Sequence, residues 1–517
     1  MSPLRLAKGR NRFHAAIGSD HGGASYIGTE RSNDAKPPTV DPKRAILLHM
    51  KWGQLRFLLS ANLSGFGWAR AFTIMLAAAP LPSLLLARNH EVVLMSRSMA
   101  GQPAEVSLAI NPANPRNVIA VSLASGLEVR STNFSFVSHD GGLTWSSSAA
   151  FNPEKRVQGD DSVVFNHSGQ AFRSYISFLG LREETQTRSN GIFVSASSDG
   201  GQTWNTPVAV VNHQNTLTPF EDKPYLAADP LPESPHAGHL YLAWTRFDRY
   251  GSEDPEDQSH IYFSRSPDRG RSFSSPIRIS DHGGDCLDSD GTVEGAVPAV
   301  GTKGQVYVVW AGPRGLVLDV SRDGGFTFGG DRVIAEMPGS WDLEIEGLGR
   351  ANGLPVTGVD HSAGPYQGSL YVNWADERYG DPDSFVIHSR DDGKTWSPPQ
   401  RVNDDPVSNG RAQFLTWMAV DPVDGSVNVV FLDRRGDTGT KTAVRLARSI
   451  DGGVTFVNYL IDVEPFECNP AIFFGDYIGI SAYGGLVIAA FPHFRSAQQL
   501  DLSAAVFRFR PGTQGME

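Results

Sequence analysis

Residues Ser321–Phe328 read SRDGGFTF, and near-copies recur as SHDGGLTW from Ser138, SSDGGQTW from Ser197, SPDRGRSF from Ser266, SRDDGKTW from Ser389 and SIDGGVTF from Ser449. An Asp, glycines, hydroxyls and an aromatic are turn chemistry rather than strand chemistry. The Asp and hydroxyl oxygens can take backbone N–H groups, the second glycine can adopt positive φ, and the aromatic is left to pack. Six copies at a long period indicate a repeat architecture. Around Ser321 the order is GAVPAVG, a turn, QVYVVWA, GLVLDVS, the octet, then DRVIAEM. The next unit repeats it as LPVTGVD, SLYVNWA, SFVIHSR, the octet and QRVNDD. Four short antiparallel strands per period predict the blades of an all-β propeller, with each octet in the turn between third and fourth strands.

The blade count follows from what is left over. GDYIGISA, GLVIAAF and AAVFRFR follow the sixth octet without a seventh, and HEVVLMS (90–96) precedes the first unit. Joined, they supply four strands, so seven blades are favoured over six, with the ring closed by the two ends of one propeller domain spanning 90–511.

Residues 1–89 read as a separate extension. Its first 45 residues are polar and without period, which predicts disorder. Basic residues then precede the apolar run AFTIMLAAAPLPSLLLA (71–87), which reads as an export signal better than as a stable membrane span, because Pro80 and Pro82 interrupt a short run. A start at Met50 or Met75 would place that run correctly, and a secreted or extracytoplasmic protein is expected. A net charge of -11 with no basic stripe excludes a nucleic-acid partner. Cys286 and Cys468 are too few for a disulfide framework but could form one bridge outside the cytosol. A monomer is expected.

Strand order also fixes the faces. The turns 1–2 and 3–4, octets included, share one face. The ends of second strands and the starts of first strands crowd the other. There the second strands end in TRFDRY, AGPRG (Arg314), ADERYG (Asp376, Arg378), LDRRGD (Asp433, Arg435) and FPHFRS (His493, Arg495). First strands begin at GDDS (Asp160, Asp161), EDKP (Glu221, Asp222, Lys223), VEGA (Glu294) and FGDY (Asp476, Tyr477). Arginines and carboxylates on loops of a rigid scaffold predict a ligand site on this face.

The octet is the Asp-box, and the chain resembles the sialidase superfamily of propellers, although familiar sialidases have six blades. The resemblance implies an exo-α-sialidase-type glycoside hydrolase acting on an acidic glycan, with a Tyr nucleophile, a Glu activator, an Asp acid/base and arginines for the carboxylate. VEGAVPAVGTKGQVYVVWAGPR is similar to a family stretch that nominates Glu294 as activator and Arg314 as one arginine. GDYIGISAYGGLVIAA nominates Tyr477 as nucleophile. Asp160 or Asp161 would be the acid/base and Arg378 or Arg435 the later arginine, with Asp376 and Asp433 beside them. The family's early Arg-Ile-Pro is absent: the first unit has AEVSLAINP (104–112), and Arg130 is the candidate substitute. Two alternatives stand: a non-catalytic propeller binding glycan or protein at the same mouth, and a polysaccharide lyase using His493, Arg495 and Tyr477. No cofactor is required, but the acidic loop DHGGDCLDSDG (281–291) offers Asp285, Asp288 and Asp290 as ligands for Ca²⁺.

Overall fold

The second and third strands of each unit are near-continuous apolar runs because they are covered on both faces. VYVVWAG (Val306–Gly312) and GLVLDVS (Gly315–Ser321) are buried almost throughout, whereas the fourth strand Arg332–Ala335 is half exposed. Sheets stacked face to face around an axis bury their middle strands in this way and leave the outermost strand to solvent. The computed structural model describes residues 90–517, except 98, 100, 127–129, 153, 182–184 and 437–438. The expected extension 1–89, with its signal-like stretch 71–87, lies outside the described residues.

Seven four-stranded antiparallel sheets are formed. Blades one to six begin with the inner strands Gln102–Ile110, Val157–Phe165, Phe220–Ala228, Glu294–Val300, Val356–Val359 and Gln413–Val420. The seventh has Gly479–Tyr483, Leu486–Ser496 and Gln499–Arg508 from the C-terminal end. Its fourth strand is His90–Leu94, registered with His90 opposite Phe507 and Leu94 opposite Ser503. The His90 and Phe507 rings stack at 4.5 Å. Seven blades are therefore the observed number. The seventh blade lacks an Asp-box because it has no turn between third and fourth strands, that being where the two ends of the domain meet.

The boxes adopt the geometry expected of them. Ser321 Oγ donates to Asp323 Oδ1 (2.8 Å) and accepts from Gly325 N (2.8 Å). Asp323 accepts from Thr327 N (2.9 Å) and Thr327 Oγ1 (2.6 Å). The same bonds recur at Asp140, Asp199, Asp268, Asp391 and Asp451. Gly325 has φ of 83°, and a Cβ there would lie 2.7 Å from the Phe263 ring of the preceding blade. Phe328 packs edge-on against that same ring at 4.7 Å. The box is an inter-blade bracket.

Two possibilities that the sequence left open are not realised among the described residues. Cys286 and Cys468 are both free: Cys286 is buried beside Phe220 and Phe247, and Cys468 lies 3.8 Å from Thr442 Oγ1. The three aspartates proposed for Ca²⁺ do not converge. Asp288 is taken by Arg350 and Tyr250, Asp285 by Thr292 Oγ1, and Asp290 by the amide of Asp342. Among the described residues no group of three or more His, Cys, Asp or Glu is placed to hold a metal ion.

Candidate active site

The inner strands carry a repeated irregularity on the face away from the boxes. In blades one, two, three, four and six the register slips between Ala104 and Ser107, Gly159 and Ser162, Asp222 and Tyr225, Glu294 and Val297, and Phe414 and Trp417. Each slip is a bulge centred on a residue in the left-handed region: Glu105 (φ 55°), Asp160 (49°), Lys223 (47°), Gly295 (73°) and Leu415 (47°). A bulge re-aims its side chain. A non-glycine residue held at such a φ costs roughly 1–2 kcal/mol, yet three of the five are charged.

Those three charges meet at the mouth of the central channel. Lys223 Nζ lies 2.6 Å from Asp476 Oδ2 and 3.4 Å from Glu294 Oε1. Arg350, from the connection between blades four and five, grips Asp288 through two N–H groups at 2.8 and 3.0 Å and reaches Asp476 Oδ1 at 2.8 Å. Tyr250 donates to Asp288 at 2.6 Å, and Asn352 Nδ2 to the Asp476 carbonyl at 2.8 Å. The Asp476 amide donates to Glu105 at 3.4 Å. Glu105, Asp160, Asp222, Lys223, Asp288, Arg350 and Asp476 line a cavity of about 90 Å³ whose other wall includes Phe178, Leu181, Phe220, Tyr250 and Phe473. Below it, Tyr225, Trp417 and Tyr477 line a smaller cavity of about 30 Å³, their rings in sequence at 5.2 and 5.6 Å.

Six carboxyls (Glu105, Asp160, Asp222, Asp288, Glu294, Asp476) thus share two cations (Lys223, Arg350), and the environment sorts them. Burial opposes ionisation of Asp288 and Asp476, but Arg350 and Lys223 outweigh it and hold both below the usual carboxylate range. Burial first, and crowding by other carboxyls second, pushes Glu105 up to about 7 and Asp160 well above its ordinary value. Burial likewise raises Asp222 and Glu294. Both Glu294 carboxyl oxygens accept no hydrogen bond among the described residues. The mouth therefore holds protonated and ionised carboxyls side by side, the arrangement that separates a proton donor from a proton acceptor.

Of the residues singled out in the sequence, Asp160 lines the mouth, Glu294 stands beside Lys223, and Tyr477 lies one layer deeper. The Tyr477 hydroxyl donates to the Asp161 carbonyl at 3.0 Å rather than to Glu294, and burial together with Glu105, Asp160 and Asp161 raises its pKa. Asp161 is fully buried, with Arg173 of its own blade as counter-charge. The expected arginine cluster is not assembled. Arg378 folds onto Asp376 of its own strand (2.9 Å) and Arg435 onto Asp433 (2.6 Å), with Asp404 and Asp405 alongside. Arg314 meets His282 at 2.8 Å, and Arg130 donates to the Lys155 carbonyl at 3.0 Å. Arg378 and Arg435 are taken by aspartates two residues back in the chain, and Arg314 and Arg130 by a histidine ring and a backbone carbonyl from more distant segments. Nor do the lyase residues gather: His493 is bonded to Ser503 (2.9 Å) and Arg495 lies 3.6 Å from Asp501.

Glu105 and Arg350 were missed, and Asp288 was nominated only as a Ca²⁺ ligand. Glu105 stands in the AEVS segment, where an arginine was sought. Asp288 was read as part of an acidic loop, and Arg350 sits in a connection without strand periodicity. The usable sign for Glu105 was its position, three residues into an inner strand like Asp160 and Lys223.

The family model for the BNR/Asp-box repeat matches residues 136–147. Among solved structures, the chain is similar to the NanB sialidase of Streptococcus pneumoniae (10% identity, 80% of this chain and 97% of that one, TM-score 0.42). It is similar also to an α-L-arabinofuranosidase of Fusarium graminearum (13%, 67% and 93%, 0.44) and to an ulvan lyase (13%, 80% and 97%, 0.45). At these scores none of them bears on the chemistry of the mouth. By repeat and by sheet order, the chain is a seven-bladed β-propeller carrying the BNR/Asp-box repeat.

Proposed function

We propose that the channel mouth is the active site of a glycoside hydrolase that works by acid–base catalysis from paired carboxyls. The observation that supports this is one walled pocket in which Glu105 is raised to about 7 and Asp160 well above its ordinary value, beside two carboxyls held ionised by Lys223 and Arg350. Asp160 stays protonated and can give its proton to a leaving oxygen. Glu105, poised at about 7, can take a proton from the attacking water. Lys223, Arg350, Asp288 and Asp476 form the fixed frame that holds both in place. The aromatic wall of Phe178, Phe220, Tyr250 and Phe473 suits the apolar face of a sugar ring.

The substrate favoured by this geometry is not the acidic sugar implied by the sequence resemblance. Arg350 already spends two N–H groups on Asp288 and pairs with Asp476 at 2.8 Å, and the first-unit segment in which the family's first arginine was sought carries Glu105 instead. A ligand carboxylate would meet a surplus of carboxyls. Tyr477, bonded to a backbone carbonyl and raised in pKa, serves this reading as channel wall rather than nucleophile.

The test is turnover of a panel of aryl glycosides, neutral and acidic, by the full chain and by Asp160→Asn and Glu105→Gln. Neutral members should be cleaved, and each variant should lose roughly 10²–10⁴-fold in kcat while melting no lower than the parent. Retention of glycan without release of any aglycone would leave a binding propeller. Cleavage confined to sialosides or uronosides would overturn the paired-carboxyl assignment.

A further inference from the structure

The charge balance at the mouth bears on what the ligand carries. Lys223 and Arg350 are spoken for by Asp476 and Asp288. Glu105, Asp160 and Asp222 then remain on the cavity wall without a cation of their own, and Glu294 stands behind Lys223 with no hydrogen bond to either oxygen. Carboxyls this buried and lacking a counter-charge stay neutral. A ligand that brings a positive charge changes that: each carboxyl that ionises gains a charge-assisted hydrogen bond to the incoming N–H group. Phe178, Phe220 and Tyr250 line the same cavity, and aromatic rings attract cations. Surplus carboxyls together with aromatic rings describe an ammonium pocket.

We propose that the mouth recognises a protonated primary amine on its ligand, which for a glycan means an amino sugar with a free 2-amino group. The inference rests on the mouth being the glycan site argued above. Acetylation of the amine removes the charge and adds bulk, so the N-acetyl sugar is disfavoured. A carboxylate in the same place finds both cations already paired and is disfavoured.

Calorimetric titration of the full chain with β-1,4-linked glucosamine disaccharide, cellobiose and chitobiose at pH 7 tests this. The glucosamine disaccharide should bind roughly tenfold or more tighter than cellobiose. Its heat should differ between buffers of different ionisation enthalpy, because carboxyl protons are released to the buffer as the amine docks. Asp222→Asn should cut the preference to within about threefold while cellobiose binding is kept. Should that variant fail to melt like the parent, Glu105→Gln is read in its place. Equal affinities, or tighter binding of cellobiose or chitobiose, overturns the proposal. Cleavage of neutral glycosides without amine preference removes this inference and leaves the hydrolase reading. Amine-selective binding without cleavage of any glycoside does the reverse, and absence of both removes both.

Discussion

Glu105, Asp160 and Lys223 are held in a backbone conformation that would be cheaper for glycine, at equivalent places in three successive blades. The bulge turns each side chain toward the axis, so local strain is exchanged for a convergent set of charges. Asp160→Gly should therefore raise stability by roughly 1–2 kcal/mol, read by urea titration, while removing turnover. A loss of stability would mean that the carboxyl holds the mouth together. The Glu105 shift has its own signature. A carboxyl raised from 4.5 to about 7 keeps its proton longer in the folded state, so its cost is absent below about pH 4.5 and complete above about pH 7. Glu105→Gln should then match the parent near pH 4.5 and exceed it by on the order of 3 kcal/mol at pH 8, with the gap opening between those values. A gap that does not vary with pH would contradict the shift. The bulges themselves were not readable in advance, because strand patterns place residues on faces but do not reveal which of them sit in a bulge.

At the scale of the element, the Asp-box is a turn that doubles as a spacer between blades. Ser321 is fully buried and ties Asp323 to Gly325 through one hydroxyl. Ser321→Ala should cost about 1–3 kcal/mol in chemical denaturation and leave activity untouched. Gly325→Ala should cost more than Ser321→Ala, since it combines positive φ with a Cβ 2.7 Å from the Phe263 ring. The octets were legible because turn chemistry is local: every bond in the box spans four residues or fewer. For the same reason the second-strand arginines misled. Asp376 and Arg378, two residues apart, read as members of a shared site, but that short separation also lets them pair with each other. The buried Trp374 indole completes that bracket by donating to Asp376 at 2.7 Å, and Trp244 donates likewise to Glu221, which Arg246 grips.

Across the whole molecule, closure depends on one five-residue strand from the other end of the domain. His90–Leu94 covers the length of Gln499–Arg508 from His90 opposite Phe507 to Leu94 opposite Ser503. Deleting residues 90–94 should lower the melting temperature by many degrees and expose the seventh blade to proteolysis, and an unchanged melt would show that the ring does not need that strand. Strand arithmetic foresaw this closure, because every strand of the seventh blade has its own apolar run. The mouth was foreseen only as a face, since its partners come from blades one, two, three, four and seven and from two connections between blades. The claim that this mouth performs acid–base catalysis is tested most directly by the pH profile of kcat/KM on a neutral aryl glycoside. The account predicts a bell whose rising limb, near pH 7, follows ionisation of Glu105 and disappears in Glu105→Gln, with the falling limb set by Asp160. A variant that keeps both the parent rate and the rising limb would contradict it.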